Sequence, residues 1–114
     1  MKRITLISGK PEAIEKYVKE NDIDVTHRSV ECNVHHSMRK ILARQLCKSE
    51  TQLVIVTQSH EFIRLFIDVT ADEGIEDEFV FLRPEIIERT GKLVVHDFGW
   101  EKLNNFIKSG LEVR

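Results

Sequence analysis

Cysteine is scarce. The 114-residue chain has two, Cys32 and Cys47, too few and too irregularly placed for a disulfide scaffold or a four-cysteine zinc site, so a reduced, intracellular setting is predicted. Charge of one sign is lacking too: 17 Lys and Arg stand against 19 Asp and Glu, a formal net charge of −2. That balance leaves no footprint for tight nonspecific nucleic-acid binding, although a local basic patch fits inside a neutral total. Long apolar runs are absent. Leu53 to Val56 falls far short of a membrane span, and Met1-Lys2-Arg3-Ile4-Thr5 lacks the apolar middle of a signal peptide. The expectation is a cytoplasmic protein without membrane contact, its mature form equal to the whole chain. No internal repeat, low-complexity segment or linker divides it. With 41% hydrophobic residues, residues 1–114 are expected to form a single domain around one core.

The pattern of what is present alternates strands and helices. Ile4-Thr5-Leu6-Ile7 predicts a strand feeding through Ser8-Gly9-Lys10 into a helix from Pro11 to Glu20, with Ala13, Ile14, Tyr17 and Val18 on its apolar stripe. Asp24 to Val30 reads as a polar strand. Ser37 is then a candidate cap for a second helix carrying Met38, Ile41, Leu42 and Leu46. Leu53-Val54-Ile55-Val56 has the continuous apolar character of a parallel strand covered on both faces, and is expected at the centre of the sheet. Ser59 offers a cap for a nearly all-apolar helix containing Phe62 and Phe66, while Ala71 to Glu78 reads as an acidic, solvated loop. Phe79 to Leu82 continues as a strand, a hairpin turns at Arg89-Thr90-Gly91-Lys92, and Trp100, Leu103 and Ile107 stripe a last helix ending at Gly110. Such alternation predicts a three-layer α/β fold with a mainly parallel sheet and an antiparallel hairpin near the C-terminus.

Val30-Glu31-Cys32-Asn33-Val34-His35-His36-Ser37-Met38 is the most informative stretch, followed one helix later by Leu53-Val54-Ile55-Val56-Thr57-Gln58-Ser59-His60. Together they resemble the C-terminal part of a RecF/SMC-like ABC-type P-loop ATPase. In that family a strand ends in an Asp-Glu pair, continues as Ile-Glu-Asn-Gly-hydrophobic-His-His-Ser-Met, and is followed about one helix later by a strand ending in Thr-Thr-His-Ser. The similarity covers residues 28–66, and the later hairpin with Trp100-Glu101-Lys102-Leu103 resembles the family's C-terminal end.

The departures fall on the chemistry. In the family the Asp holds the magnesium ion of the nucleotide and the Glu polarises the attacking water. Arg28 and Ser29 stand at those positions; a guanidinium cannot coordinate a cation, and a serine hydroxyl is a poor general base. The family's switch histidine falls at Gln58, which carries no charge. Ile7-Ser8-Gly9-Lys10-Pro11 keeps only the Gly-Lys of a phosphate loop, with Pro11 in place of the hydroxyl residue. Gly9, Lys10 and Gln58 are thus at most a vestigial nucleotide site. Ser8-Gly9 also aligns with the family's Ser-Gly signature, and a plain strand-to-helix turn explains the same residues.

The resemblance therefore implies a degenerate, non-catalytic domain that acts through protein contacts, with a second copy of itself or with an intact ABC-type ATPase. In ABC-type dimers the loop after the Asp-Glu strand lies at the subunit interface, which nominates Asn33, His35, His36, Ser37 and Met38; the competing explanation is that Ser37 merely caps the helix. No cofactor and no metal are expected. Two rivals remain open: a small metal- or nucleotide-dependent hydrolase or nuclease using Asp24, Glu31, His35 and His36, and a nucleic-acid-binding accessory using Arg28, Arg39, Lys40 and Arg44. Cys47 reads as a small buried hydrophobe and Trp100 as an anchor for the last helix.

Overall fold

Ile4-Thr5-Leu6-Ile7 and Leu53-Val54-Ile55-Val56 are buried at every position, which demands partners on both edges and cover on both faces. The computed structural model, which describes residues 2–110, supplies both. The elements are β1 (Ile4–Ile7), α1 (Pro11–Glu20), β2 (His27–Arg28), α2 (Arg39–Cys47), β3 (Leu53–Val56), α3 (His60–Asp72), β4 (Phe79–Ile87), β5 (Lys92–Gly99) and α4 (Trp100–Lys108). They form one sheet in the order β2-β3-β1-β4-β5. The first four strands run parallel, with Ile7 opposite both Val56 and Leu82, and β5 returns antiparallel to β4 from Lys92 to Gly99.

Side-chain alternation along the strands sorts the core into two layers. Ile4, Leu6, Leu53, Ile55, Phe79 and Phe81 meet α2, α3 and α4 on one face. On the other, Ile7, Val54 and Val56 meet Ile14, Tyr17 and Val18 of α1. The larger layer is knit by aromatic rings: Phe62 stands edge-on to Phe66 at 5.9 Å, Phe66 lies 6.1 Å from Phe79, and Phe98 contacts both Phe81 and Phe106 at 5.7 Å. Trp100 anchors α4 by donating its indole N–H to the Ile67 carbonyl at 3.1 Å. Ser59 caps α3 by accepting from the Phe62 amide, 3.1 Å.

Five details differ from the sequence expectations. The central strand is β1; β3 lies beside it, between β1 and β2. The strand expected over Asp24 to Val30 shrinks to His27–Arg28, because Ser29 turns left-handed (φ 47°) and Val30–Asn33 winds into a 3₁₀ helix. Ser37 does not cap α2. It sits inside a 3₁₀ turn, His36–Met38, its hydroxyl is paired with His35, and α2 starts at Arg39 without a side-chain cap. The acidic loop is shorter than expected, since α3 runs to Asp72 and Glu76–Glu78 form a 3₁₀ turn. The hairpin turn spans 88–91, leaving Lys92 in β5, with Gly91 at φ 69° donating its amide to the Ile87 carbonyl at 2.7 Å. Among the described residues no helix is long and apolar enough to cross a membrane.

Arg3 ties the amino edge together. Its guanidinium pairs with Glu78 at 2.8 Å, donates to the Cys47 carbonyl at 3.1 Å and reaches the Ser49 carbonyl, so it serves the open C-terminus of α2. Cys47 itself is buried on that helix. Burial pushes its thiol up to about 12, Glu73 adds to the shift and Arg3 opposes it.

Two expected outcomes follow from this packing. Phe66→Ala should cost about 3–5 kcal/mol in chemical denaturation, and a loss below about 1 kcal/mol would contradict its place in the core. A thiol reagent near neutral pH should label exposed Cys32 and spare Cys47 until the chain unfolds. The unfolded chain ionises Cys47 near its ordinary 9.0, whereas the folded chain holds the proton to about 12. The stability that this thiol contributes is therefore whole below pH 9 and lost above it, by at most about 1.4 kcal/mol per pH unit. Cys47→Ala should flatten the alkaline slope of unfolding free energy; an unchanged slope would contradict the assignment.

Candidate functional site

The chain leaves β1 for α1 on one face of the sheet and leaves β3 for α3 on the other, so the connections diverge between two neighbouring carboxyl ends. In open α/β sheets this switch point is where ligands enter. Four segments converge on this edge: Ser8-Gly9-Lys10 after β1, Ser29 and the 3₁₀ helix after β2, Thr57-Gln58-Ser59 after β3, and Arg83-Pro84 along β4. Backbone bonds hold them side by side. Ser8 donates its amide to Leu82 at 3.1 Å, Thr57 donates to Ile7 at 3.0 Å, and Ser29 donates to Val56 at 2.8 Å.

The loop after β1 is a tight turn of three residues. Gly9 adopts φ +139°, and a Cβ there would lie 3.1 Å from the Pro84 carbonyl oxygen, so both conformation and space require glycine. Ala13 and Ile14 both donate to the Lys10 carbonyl at 3.0 Å, which uses amides of the first turn of α1. Ser8 is fully buried and its Oγ has no partner. Lys10 is exposed, Gln58 lies in the adjacent loop, and Gly9 and Lys10 line a cleft of about 480 Å³ against Arg83, Pro84 and Ile86.

Glu31 is the feature that sequence patterns assign no structural role. It is 2% exposed, its carboxylate accepts the Thr57 hydroxyl proton, and Thr57 Oγ1 in turn accepts from the Ser59 amide at 3.1 Å. The Cys32 thiol donates to the second carboxylate oxygen at 3.7 Å. This joint fastens the loop after β2 to the end of β3. The sequence signal is a lone acid amid Val30 and Cys32, paired with a threonine closing an apolar strand; neither is informative until the topology makes β2 and β3 neighbours.

The remaining candidates do not gather at one point. Arg28 is held by Glu15 of α1 and Arg44 lies 3.7 Å from Glu73, so two of the four cations of the nucleic-acid reading face carboxylates. His35 accepts from the Ser37 amide at 3.2 Å, and His36 pairs with Glu61 at 2.9 Å. Asp24 lies ahead of β2, whereas Glu31 follows it in the chain, buried and bonded to Thr57. Among the described residues no group of three or more His, Cys, Asp or Glu side chains is placed to hold a metal ion. Asn33, His35, His36, Ser37 and Met38 are all exposed. Met38 and Ile41 are 47% and 46% exposed, two of the three large apolar side chains so open among the described residues.

The Glu31–Thr57 joint is testable by a double-mutant cycle. Thr57→Val should cost about 1–3 kcal/mol in urea denaturation, because it removes a donor from a buried carboxylate. Combining it with Glu31→Leu should cost less than the sum of the single changes by about 0.5 kcal/mol or more. Strict additivity would show that the two side chains are not coupled.

Comparison of the chain with protein-family models, curated proteins and solved structures returned no match.

Proposed function

We propose that this chain is a non-catalytic domain of the ABC-ATPase kind that acts by docking onto a domain of the same kind, either a second copy or an intact ATPase. The observation that carries the proposal is the exposed pair Met38 and Ile41. Their spacing puts them on one side of the helical segment, and they directly follow the loop that resembles the family's interface loop. An apolar pair of this sort, preceded in the chain by the exposed polar residues Asn33, His36 and Ser37, is suited to the core of a contact.

The positions of the family's chemistry support the non-catalytic half. Arg28 stands where the metal-binding acid would be and is engaged by Glu15, while the Gly9-Lys10 turn has three residues between β1 and Pro11 in place of an eight-residue phosphate loop. The two unpaired cysteines fit a cytoplasmic protein. A local structural role for the loop is the competing explanation. It loses its strongest argument because Ser37 does not cap α2.

Light scattering across a concentration series provides the test, together with capture by an intact ABC-type ATPase domain. Mass above that of the monomer, or capture, should be lost in Met38→Glu and Ile41→Glu while the melting temperature stays unchanged, since both side chains are open in the free chain. A monomer at high micromolar concentration that the ATPase domain does not retain would contradict the proposal. Association that both variants leave intact would contradict it equally.

A further inference from the structure

Among the described residues the outer layer of this fold holds a single helix. α1 covers Ile7, Val54 and Val56 and reaches Leu82, but Val80 on the same face of β4 is packed in neither core cluster. Beyond it lie Gly99 and Asp97 of β5, opposite Val80 and Leu82. The uncovered half of the sheet is the floor of an open cleft of about 1400 Å³, with Tyr17 of α1 along one side and the start of α4 across one end. Thr5 also lines this cleft. It is 1% exposed, and its hydroxyl has no hydrogen-bond partner.

We propose that this cleft docks an amphipathic helix of a partner protein, with an apolar stripe against Val80 and Leu82 and cationic flanks. The surface lies on the face of the sheet opposite α2, so it is separate from the Met38–Ile41 contact. Charge selects the occupant. Glu76, Asp77, Asp97 and Glu101 line the cleft against Lys2 and Lys102. Lys2 donates to the Asp77 carbonyl at 2.6 Å, and the Lys102 ammonium lies 4.9 Å from the centre of the Phe98 ring, contacts that hold both cations without cancelling their charge. Among the described residues none of the four carboxylates takes part in an ion pair. With four carboxylates against two ammonium groups, the cleft carries an excess of negative charge, which favours lysine and arginine on an incoming surface and disfavours a second acidic one. An incoming helix would lie beside α1 as a second member of the layer, over Val80 and Leu82. Thr5 supplies a buried hydroxyl for one polar group of the occupant.

A fluorescent peptide of alternating leucine and lysine at helical spacing is the probe, with a glutamate-for-lysine version as control. Saturable binding is expected, at least about tenfold tighter for the lysine peptide. Amide shifts in its spectrum should centre on Val80, Leu82 and Gly99. Asp97→Lys, at an exposed position, should weaken binding about five- to tenfold. Val80→Asp should abolish it in protein whose amide spectrum shows that it is still folded. Met38→Glu should leave it untouched, so a failure here is distinguishable from a failure of the α2 contact. No saturable binding, equal affinity for the two peptides, or binding insensitive to both Asp97→Lys and Val80→Asp would overturn the proposal. Self-association that Val80→Asp abolishes would assign the cleft to a second copy and overturn it as well.

Discussion

Everything in this fold depends on β1 being covered on both faces and bonded on both edges. Four consecutive residues, Ile4 to Ile7, are essentially inaccessible to solvent. Their peptide groups need β3 on one side and β4 on the other, since a buried backbone group without a partner costs about as much as a lost hydrogen bond. Ile4 and Leu6 require the α3 layer; Ile7 requires α1. The connection from β1 to β2 passes over one face through α1, and those that reach β3 and β4 pass over the other through α2 and α3. The asymmetry of the molecule has the same origin: one helix suffices to cover the parallel strands on the α1 side, and the antiparallel hairpin is left half bare.

At the carboxyl edge, closeness of approach matters more than chemistry. Gly9 lets the first loop run against the Pro84 carbonyl, and Glu31 pins the second loop to Thr57. A carboxylate with a hydroxyl donor and a thiol on its other oxygen is a buried polar joint of the sort that fixes one arrangement of neighbouring loops. The exposed segment from Asn33 to Ile41 hangs from that joint. Its presentation thus rests on a side chain that touches no partner.

Much of the architecture was legible from residue patterns. The apolar tetrapeptides, Pro11, Ser59, and the alternation on either side of Arg89-Thr90-Gly91-Lys92 identify strands, helix starts and the hairpin from local rules. Position within the sheet was not legible. Leu53 to Val56 is as apolar as a central strand, but order is set by which crossovers pack, and that is a property of the whole chain. The region from Arg28 to Met38 misled in a different way: residues with strand and cap propensities were overridden by the left-handed Ser29 and two 3₁₀ turns. In the candidate site, exposed residues were readable singly, whereas the Glu31–Thr57 pair and the cleft over Val80 exist only once distant segments meet.

The proposal is that this domain works through contacts and performs no nucleotide chemistry. Calorimetric titration of ATP·Mg²⁺ into the wild-type chain tests it most directly. If the proposal holds, the chain, with Arg28, Ser29 and Gln58 where the resemblance would put the catalytic residues, should give no saturable heat at micromolar nucleotide. A saturable isotherm that Lys10→Ala abolishes would contradict the claim and return Gly9 and Lys10 to a nucleotide site.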